Sequence, residues 1–424
     1  MKCSYACKTA EHVVSRRAFL GGAAAGAGLG LASFVDPAVA NEIKKGSKRI
    51  LTIFLHGGVS QLETWDPKPN TDTGGPFRAI PTSVPGIHIS ELLPYTAKQM
   101  HRLAIVRGIN TRNNDHGRGH HEMLTGHKKD PASDYPNLGA VAAKVLTPDR
   151  FALPGHIFIK GAGSQVGGPS YLGPKFAAVD LDGAKPPTNA ERPGSLTETA
   201  DARRNSFRMQ ANDHFAARRR SADTDAYTFS YEQAQQLLAK RDVFDLAKEP
   251  AKEHDKYGKS EFGQHLLLAR RMIENGVPFV QVNHTNYDTH YENFDFHIEQ
   301  LGEFDRPFAT LIDDLAERGL LKDTLVIVMS EFGRTPKINT SYGRDHWGTA
   351  WSVAMSGTGL HHGAVVGKTN ENGTVVTDRE VDHGHLFHTY LRAVGVDSKQ
   401  EFVIGGRKLP MADPAKDAIK ELLV

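Results

Sequence analysis

Apolar runs alternate with helical patterns along most of the chain. Six short runs rich in β-formers predict buried strands: RILTIFL (49–55), RLAIVRG (102–108), HIFIKG (156–161), PFVQVNH (278–284), TLVIVMS (324–330) and WSVAMSG (351–357). Between the fourth and fifth runs, apolar residues at three- and four-residue spacing predict an amphipathic helix over 301–315 that ends at Gly319. NLGAVAAKVL (137–146) and HLFHTYLRAVG (385–395) predict two more helices. This alternation predicts an α/β fold with a mostly parallel sheet sandwiched by helices.

The first 40 residues have the layout of an export signal. Arg16 and Arg17 precede a weakly apolar Ala/Gly-rich run, and AVA (38–40) supplies the small residues of a cleavage site. The core SRRAFL resembles a twin-arginine signal. Residues 19–35 are too short and glycine-rich for a membrane span, which needs about 20 strongly apolar residues. We expect export by the twin-arginine translocase to the periplasm or the outside of a bacterial cell, without a permanent membrane anchor.

Composition narrows the classes of function. With 51 basic and 49 acidic side chains the net charge is +2, so we expect no strong attraction to nucleic acid or anionic membranes. Both cysteines, Cys3 and Cys7, lie in the export signal, so the mature chain has no disulfide or thiolate chemistry. Histidine is abundant, at 21 residues, and it is the commonest metal ligand.

Residues 196–255 differ from the remainder of the predicted α/β domain, which covers 41–424. This stretch is polar and helix-favouring, with charge runs such as AARRR (216–220). Acidic residues are interleaved with the basic ones, which argues against a nucleic-acid patch. We interpret the stretch as a solvated helical insertion, with a lid as a possible role.

Carboxylates and imidazoles collect where the predicted strands end. Ligands of open α/β sheets bind beyond the carboxyl ends of the strands, so these residues are expected at one edge. Each alone would usually be a cap or turn residue, but their coincidence predicts a site. Imidazole and carboxylate ligands together suit zinc, manganese or a similar divalent ion better than calcium. The predicted metal ligands are His56, Asp288, His290, Glu331, Asp345 and His346, and Asp345 is alternatively a residue that orients His346.

The stretch HGG (56–58) with Ser60 also raises a rival interpretation, the oxyanion loop of a serine esterase. That fold requires a nucleophile elbow, G-x-S-x-G. No serine of the chain has glycine at both positions, since Ser60 follows Gly58 but precedes Leu62. The missing elbow favours the metal site.

Several motifs together resemble one family. They are FLHGGVSQLETWDPKP (54–69), HHEMLTG (120–126), YDTHYENFDFH (287–297), TLVIVMSEFGRTPKIN (324–339) and GRDHWGTAWSVAMSGTG (343–359). They resemble the domain-of-unknown-function 1501 (DUF1501) family, exported bacterial proteins grouped with the alkaline phosphatase and sulfatase superfamily. The resemblance covers nearly all of the mature chain. It implies an alkaline-phosphatase-like fold and a metal-dependent site for phosphate or sulfate esters.

The resemblance implies roles for individual metal-side residues, with two departures. His56 stands where the superfamily's first strand ends in a metal-binding aspartate. Asp288 and His290 match a metal-binding pair, and His346 matches a late histidine of an H-x-G motif. Glu331 keeps the carboxylate of an Asp-His pair whose histidine is absent here.

The resemblance also points to His116 as the residue at the nucleophile position, ten residues before Gly126. A serine, threonine or cysteine is expected there, so the usual covalent mechanism does not transfer. A histidine nucleophile or a metal-bound water would replace the hydroxyl, with His116, Arg118 and His120 as candidate catalytic residues. Alternatively, the protein has lost hydrolysis and serves as a binding protein of the cell envelope.

Two arginines sharpen the expected substrate class. Arg118 and Arg334 follow predicted strands, and arginine makes bidentate contacts to phosphate, sulfate and carboxylate. We predict that Arg334 binds substrate, although it could equally pair with Glu331. The expected substrate is an anionic ester of a small molecule or a glycan.

Overall fold

The computed structural model describes residues 48–130, 133–148, 151–161, 167–187, 192–218, 231 and 233–424. The predicted export signal lies outside the described residues and stays a prediction. Residues Lys44–Val424 belong to one compact unit. Among the described residues, no helix combines the length and the apolar character that crossing a bilayer requires.

An eight-stranded sheet forms the centre of this unit, in the order β12-β4-β11-β8-β1-β7-β5-β6. Its strands are β1 (Arg49–Leu55), β4 (Leu103–Ile109), β5 (His156–Ile159), β6 (Val179–Leu181), β7 (Phe279–His284), β8 (Thr324–Met329), β11 (Trp351–Gly357) and β12 (Ala364–Val366). All six predicted strands are among them. Strand β11 runs antiparallel to β4 and β8, and the other pairs are parallel. The mostly parallel α/β fold is therefore confirmed.

The described helices include α1 (Pro94–Gln99), α2 (His116–Thr125), α3 (Leu138–Leu146), α4 (Glu198–Arg218), α5 (Ala251–Tyr257), α6 (Glu261–Glu274), α7 (Asn293–Glu317) and α8 (His383–Ala393), and residues 233–239 are helical as well. The predicted helices correspond to α7, α3 and α8. Asp382 caps α8 by accepting hydrogen bonds from Gly384 N and His385 N.

Two apolar cores lie on opposite faces of the sheet. Strand β1 is buried throughout and alternates between them: Leu51 and Ile53 point into one core, Ile50 and Phe54 into the other. The first core packs against α1, α6 and α7, and the second against α2, α3 and α8. Each fully buried leucine or isoleucine contributes about 1.5–3 kcal/mol, so this double burial fixes β1 and the loop that follows it.

Four two-stranded sheets complete the architecture: β2 (Ala79–Pro81) with β3 (His88–Ser90), β9 (Gly333–Arg334) with β10 (His346–Trp347), β13 (Lys368–Thr369) with β14 (Val376–Asp378), and β15 (Glu401–Ile404) with β16 (Arg407–Pro410). The β9–β10 pair ties the loop after β8 to the loop before β11. Because β11 is antiparallel, its beginning lies at the edge where β1, β7 and β8 end. That reversal brings His346 to the edge of the sheet where the sequence predicts the metal ligands.

The predicted insertion is helical where it is described. Helix α4 is largely exposed, whereas two short 3₁₀ turns, Arg241–Phe244 and Leu246–Lys248, bury Phe244 and Leu246 in the first core. The end of the segment is thus part of the domain core. A lid function stays a prediction.

Candidate metal centre

The orientation of helix α2 determines which of its side chains reach the edge of the sheet where the metal ligands are predicted. It begins at His116, directly after Asp115, whose carboxylate accepts a hydrogen bond from the Arg118 backbone nitrogen (2.9 Å). With 3.6 residues per turn, His116 and His120 lie on one face, whereas Arg118 points to the opposite side. Gly119 permits close packing, because a Cβ there would lie 2.8 Å from the Glu331 carbonyl oxygen. The sequence did not predict this helix.

His116, Asp288 and His346 form a compact group in which one potential ligand atom from each lies within 4.8 Å of the others. His116 Nε2 is 3.3 Å from Asp288 Oδ2, and His346 Nε2 is 3.1 Å from Asp288 Oδ1. His290 adjoins the group, with its Nε2 also 3.1 Å from Asp288 Oδ1. The Asp288 and His290 side chains are 48% and 43% exposed, so the group is open to solvent.

The three imidazoles are each oriented by an acceptor at Nδ1. His116 donates to Glu331 Oε1 (2.7 Å), and His290 donates to Asp345 Oδ1 (2.7 Å). His346 donates to the carbonyl oxygen of Asn114 (2.8 Å). Carboxylate and carbonyl oxygens only accept, so each Nδ1 carries the hydrogen and each neutral ring presents its Nε2 lone pair.

The Nε2 atoms of the three rings lie close to Asp288. His290 Nε2 and His346 Nε2 are only 2.9 Å apart, and two bare acceptors repel unless a proton or a metal ion lies between them. His116 Nε2 is buried, and its polar neighbour is Asp288 Oδ2, 3.3 Å away. Three imidazole nitrogens and one carboxylate are a donor set that zinc and similar divalent ions prefer. The residues present therefore fit a metal ion.

The carboxylates of this group are held ionised. Burial alone would raise the pKa of Asp288, but hydrogen bonds from His116, His346 and Arg334 lower it well below its usual value. Asp288 and then Glu331 raise the pKa of His116 to about 9 in the metal-free protein. At neutral pH that ring holds a second proton, which a bound metal would displace.

Glu331 lies behind His116 and is fully buried. Its Oε1 accepts from Gly57 N (2.9 Å) as well as from His116, and its Oε2 accepts from Ser330 Oγ (3.0 Å). Burial raises its pKa, but the His116 hydrogen bond and the nearby His56 ring together lower it overall. Both oxygens are already engaged by protein donors. This position supports orienting His116 rather than the predicted direct ligation.

Asp345 occupies an equivalent place behind His290, although it is more exposed. The sequence predicted that Asp345 either binds the metal or orients His346. The structure pairs Asp345 with His290 instead.

The HGG loop supports the site through its backbone. Gly57 has a φ of +114°, and a Cβ there would lie 2.5 Å from Asp288 N, so only glycine fits against this loop. Gly58 N and Val59 N both donate to Ser330 Oγ at 3.1 Å. These N–H groups serve the loop after β8 and are not directed at an ester oxygen. Ser60 is fully buried.

Arg334 is fully buried and directed inward. Its guanidinium donates to Asp288 Oδ1 (2.5 Å), Gly58 O (2.9 Å), Arg344 O (3.0 Å) and Gly57 O. With these acceptors filling its donor positions, Arg334 fits a role in holding Asp288. The predicted contact with substrate has no support from this position.

The remaining predicted residues lie at the margin of the group or away from it. The His56 ring is stacked against the His116 ring at 6.3 Å between centroids. It meets the His120 ring edge-on at 6.1 Å. His120 also packs edge-on against Phe54 at 4.9 Å. Arg118 lines a cleft on the other side of α2.

Two asparagines in the site were not predicted. Asn114 orients His346 through its carbonyl and accepts from Gly348 N through its side chain (2.7 Å). Asn339 Nδ2 donates to the carbonyl oxygen of His290 (2.9 Å). Both are contacts to or from the backbone, which residue type and spacing do not reveal.

The chain was compared with known protein structures and sequences. Similar solved structures include a sulfatase from Pseudoalteromonas sp. (13% identity, TM-score 0.40, 85% of this chain and 72% of the other). Others are an alkaline phosphatase from the Antarctic bacterium TAB5 (12%, 0.36, 82% and 98%) and the C-terminal periplasmic domain of EcEptC from Escherichia coli, solved with zinc (10%, 0.39, 83% and 84%). At these values the similarities say nothing about the reaction of this chain.

Sequence comparison identifies the family. No curated protein is detectably similar to this chain in sequence. The model of a family described as protein of unknown function (DUF1501) matches residues 47–423, as the sequence motifs predicted. Because that match covers most of its length, the chain belongs to the DUF1501 family.

Proposed function

We propose that the protein is an exported, metal-dependent hydrolase of phosphate or sulfate esters. One observation carries the proposal: the Nε2 atoms of His116, His290 and His346 converge on Asp288, each ring oriented from behind by an acceptor. Such an array without a cation is unfavourable, and its exposed side leaves room for an anionic substrate.

The residues divide the work of such a site. His116, Asp288, His290 and His346 would hold a divalent ion such as zinc or manganese, while Glu331, Asp345 and Arg334 fix three of them in place. A bound divalent ion supplies Lewis acidity toward the oxygens of an ester. Asp288, kept ionised, gives the site its negative charge.

The position of His116 also indicates whether this histidine or water attacks the ester. Both of its ring nitrogens face carboxylates, Glu331 at Nδ1 and Asp288 at Nε2. We assign it to the metal and assign the attack on the ester to water. The same residue favours the second candidate function, a metal-binding envelope protein without hydrolysis, because no hydroxyl or thiol occupies this position.

Export rests on the sequence between Arg16 and residue 40. Replacing Arg16 and Arg17 by lysine should leave an uncleaved precursor in the cytoplasm, whereas the parent chain should begin near Asn41 outside it. Cell fractionation with N-terminal sequencing distinguishes the two. A parent chain recovered full-length from the cytoplasm would contradict export.

The test of the function measures metal and turnover together. The mature chain, purified without chelator, should hold close to one metal per chain by elemental analysis and hydrolyse p-nitrophenyl phosphate or p-nitrophenyl sulfate. Asp288→Ala should lose both properties, and Asp295→Ala, which removes an exposed carboxylate in the first turn of α7, should keep both. A metal-loaded protein inactive on a broad ester panel would favour the binding protein. A metal-free native protein would contradict both.

A further inference from the structure

A cleft of about 650 Å³ lies on the face of α2 that points away from His116. Its lining residues are Thr111, Arg112, Asn113, Asp115, Arg118, Glu122, Lys128 and Lys129. We propose that this cleft binds a second anionic group of the substrate, which makes the substrate an ester with at least two sulfate or phosphate groups. The substrate part of this proposal rests on the proposed function, whereas anion binding by the cleft does not.

The charge of the cleft favours an anion. Four cationic side chains line it, against two carboxylates. Arg118, Lys128 and Lys129 are exposed, and none forms an ion pair with any side chain in the described part of the chain. Asp115 is engaged as the cap of α2. An anion placed among three unpaired cations gains charge-assisted hydrogen bonds that the protein itself does not supply.

The floor of the cleft carries two polar side chains that face other groups of the protein. Glu122 is 6% exposed, the Asn113 side chain lies against it, and its Oε2 is 3.8 Å from His383 Nδ1. The preference of the cleft for an anion therefore rests on its exposed cations, Arg118, Lys128 and Lys129.

The cleft and the metal centre are joined by one short segment. Asn114 binds His346 on the metal side, whereas its neighbours Asn113 and Asp115 line the cleft. The two sites are separated by the width of a helix, about 10 Å. A substrate that crosses the exposed beginning of α2 would place one anionic group at each site. The two anionic groups of such a substrate would lie about 10 Å apart.

The test measures binding without relying on turnover. Sucrose octasulfate, with sucrose as its uncharged match, is titrated calorimetrically into the chelator-treated full mature chain. The variant Arg118→Gln/Lys128→Gln/Lys129→Gln should bind sucrose octasulfate about tenfold more weakly. The matched control Lys252→Gln/Lys259→Gln/Arg407→Gln removes three exposed cations elsewhere and should bind like the parent. Inositol hexakisphosphate in a parallel titration separates a preference for phosphate from one for sulfate.

The outcomes separate the cleft from the proposed function. Tenfold weakening in the cleft variant alone supports the proposal, even if no ester is hydrolysed. Equal weakening in both triple variants, or no binding by the parent, would overturn it.

Discussion

Two clusters of charged and titratable side chains differ in whether the protein supplies a partner for each of their polar atoms. The Arg270 cluster comprises Lys256, Arg270, Arg271 and Arg318 with Glu249, Glu253, Glu274 and Asp314. Its four cations face these four carboxylates and the exposed Glu317, and each cation lies within 4.0 Å of at least one carboxylate. The cluster holds α5, α6 and α7 together. Every cation has a partner within the protein, so the fold alone explains the cluster.

The metal centre lacks that balance. Glu331 and Asp345 satisfy the Nδ1 atoms of His116 and His290, but the Nε2 atoms are left facing each other and Asp288. The rings are thus oriented from behind, and their Nε2 atoms crowd around a single carboxylate. The difference separates a structural ion network from a site that requires a ligand.

The largest effect is expected from a substitution that disrupts the Arg270 cluster. Arg270→Ala should lower the free energy of unfolding by about 3 kcal/mol, because it removes the most buried cation of the cluster, while Arg271 still pairs with Glu249 and Lys256 and Arg318 still pair with Asp314. Metal content of the folded protein should not change. Urea denaturation measures the effect, and Arg306→Ala, on the exposed side of α7, should cost less than about 0.5 kcal/mol. Equal stability of the two variants would remove the structural role of the cluster.

The second effect concerns the metal ligands. His346→Ala should weaken zinc binding about a hundredfold or more, since it removes one of four ligands. The chelator-treated variant should unfold no earlier than the chelator-treated parent, because the facing lone pairs are gone. Competition titration with a zinc indicator and thermal unfolding report the two quantities. His361→Ala, at an exposed position, should behave as the parent in both.

Glu331→Gln tests the residue behind His116. The amide keeps the size of the side chain but loses the charge that orients the ring, so zinc affinity should fall about 10- to 100-fold. The exposed Glu299→Gln serves as its control. Abolished binding would make Glu331 a direct ligand, as the sequence predicted, and unchanged affinity would exclude either role.

Asp345→Asn should have the smallest effect, about tenfold or less on zinc affinity. Asp345 is 54% exposed, so solvent screens its interaction with His290 and water can replace it. The same titration reports the value. A loss as large as that of His346→Ala would place Asp345 among the ligands.

The sequence predicted the sheet and its functional edge because these depend on periodicity. Strand β1 is an uninterrupted apolar run, and α7 repeats its apolar residues every three or four positions. Strand-end residues such as Asp288 and His290 then follow from the general geometry of parallel sheets. None of this requires knowing where a side chain points.

The individual roles could not be predicted, because they depend on local direction. The segment DHGRGHH contains two glycines and gave no helical pattern, yet Asp115 caps a helix there. That helix turns Arg118 away from His116 and creates the separate cleft. Glu331 and Arg334 are three residues apart in the sequence. Only the course of the chain after β8 shows that both side chains point into the protein. Backbone contacts, such as that of Asn114, leave no trace in residue type.

The central claim is that four side chains bind one metal ion. Crystals of the mature chain grown with zinc, measured at the zinc absorption edge, test it most directly. We predict one anomalous peak about 2.0–2.2 Å from Asp288 and from the Nε2 atoms of His116, His290 and His346. A fully occupied peak elsewhere, or an intact site without any peak in zinc-soaked crystals, would contradict the account.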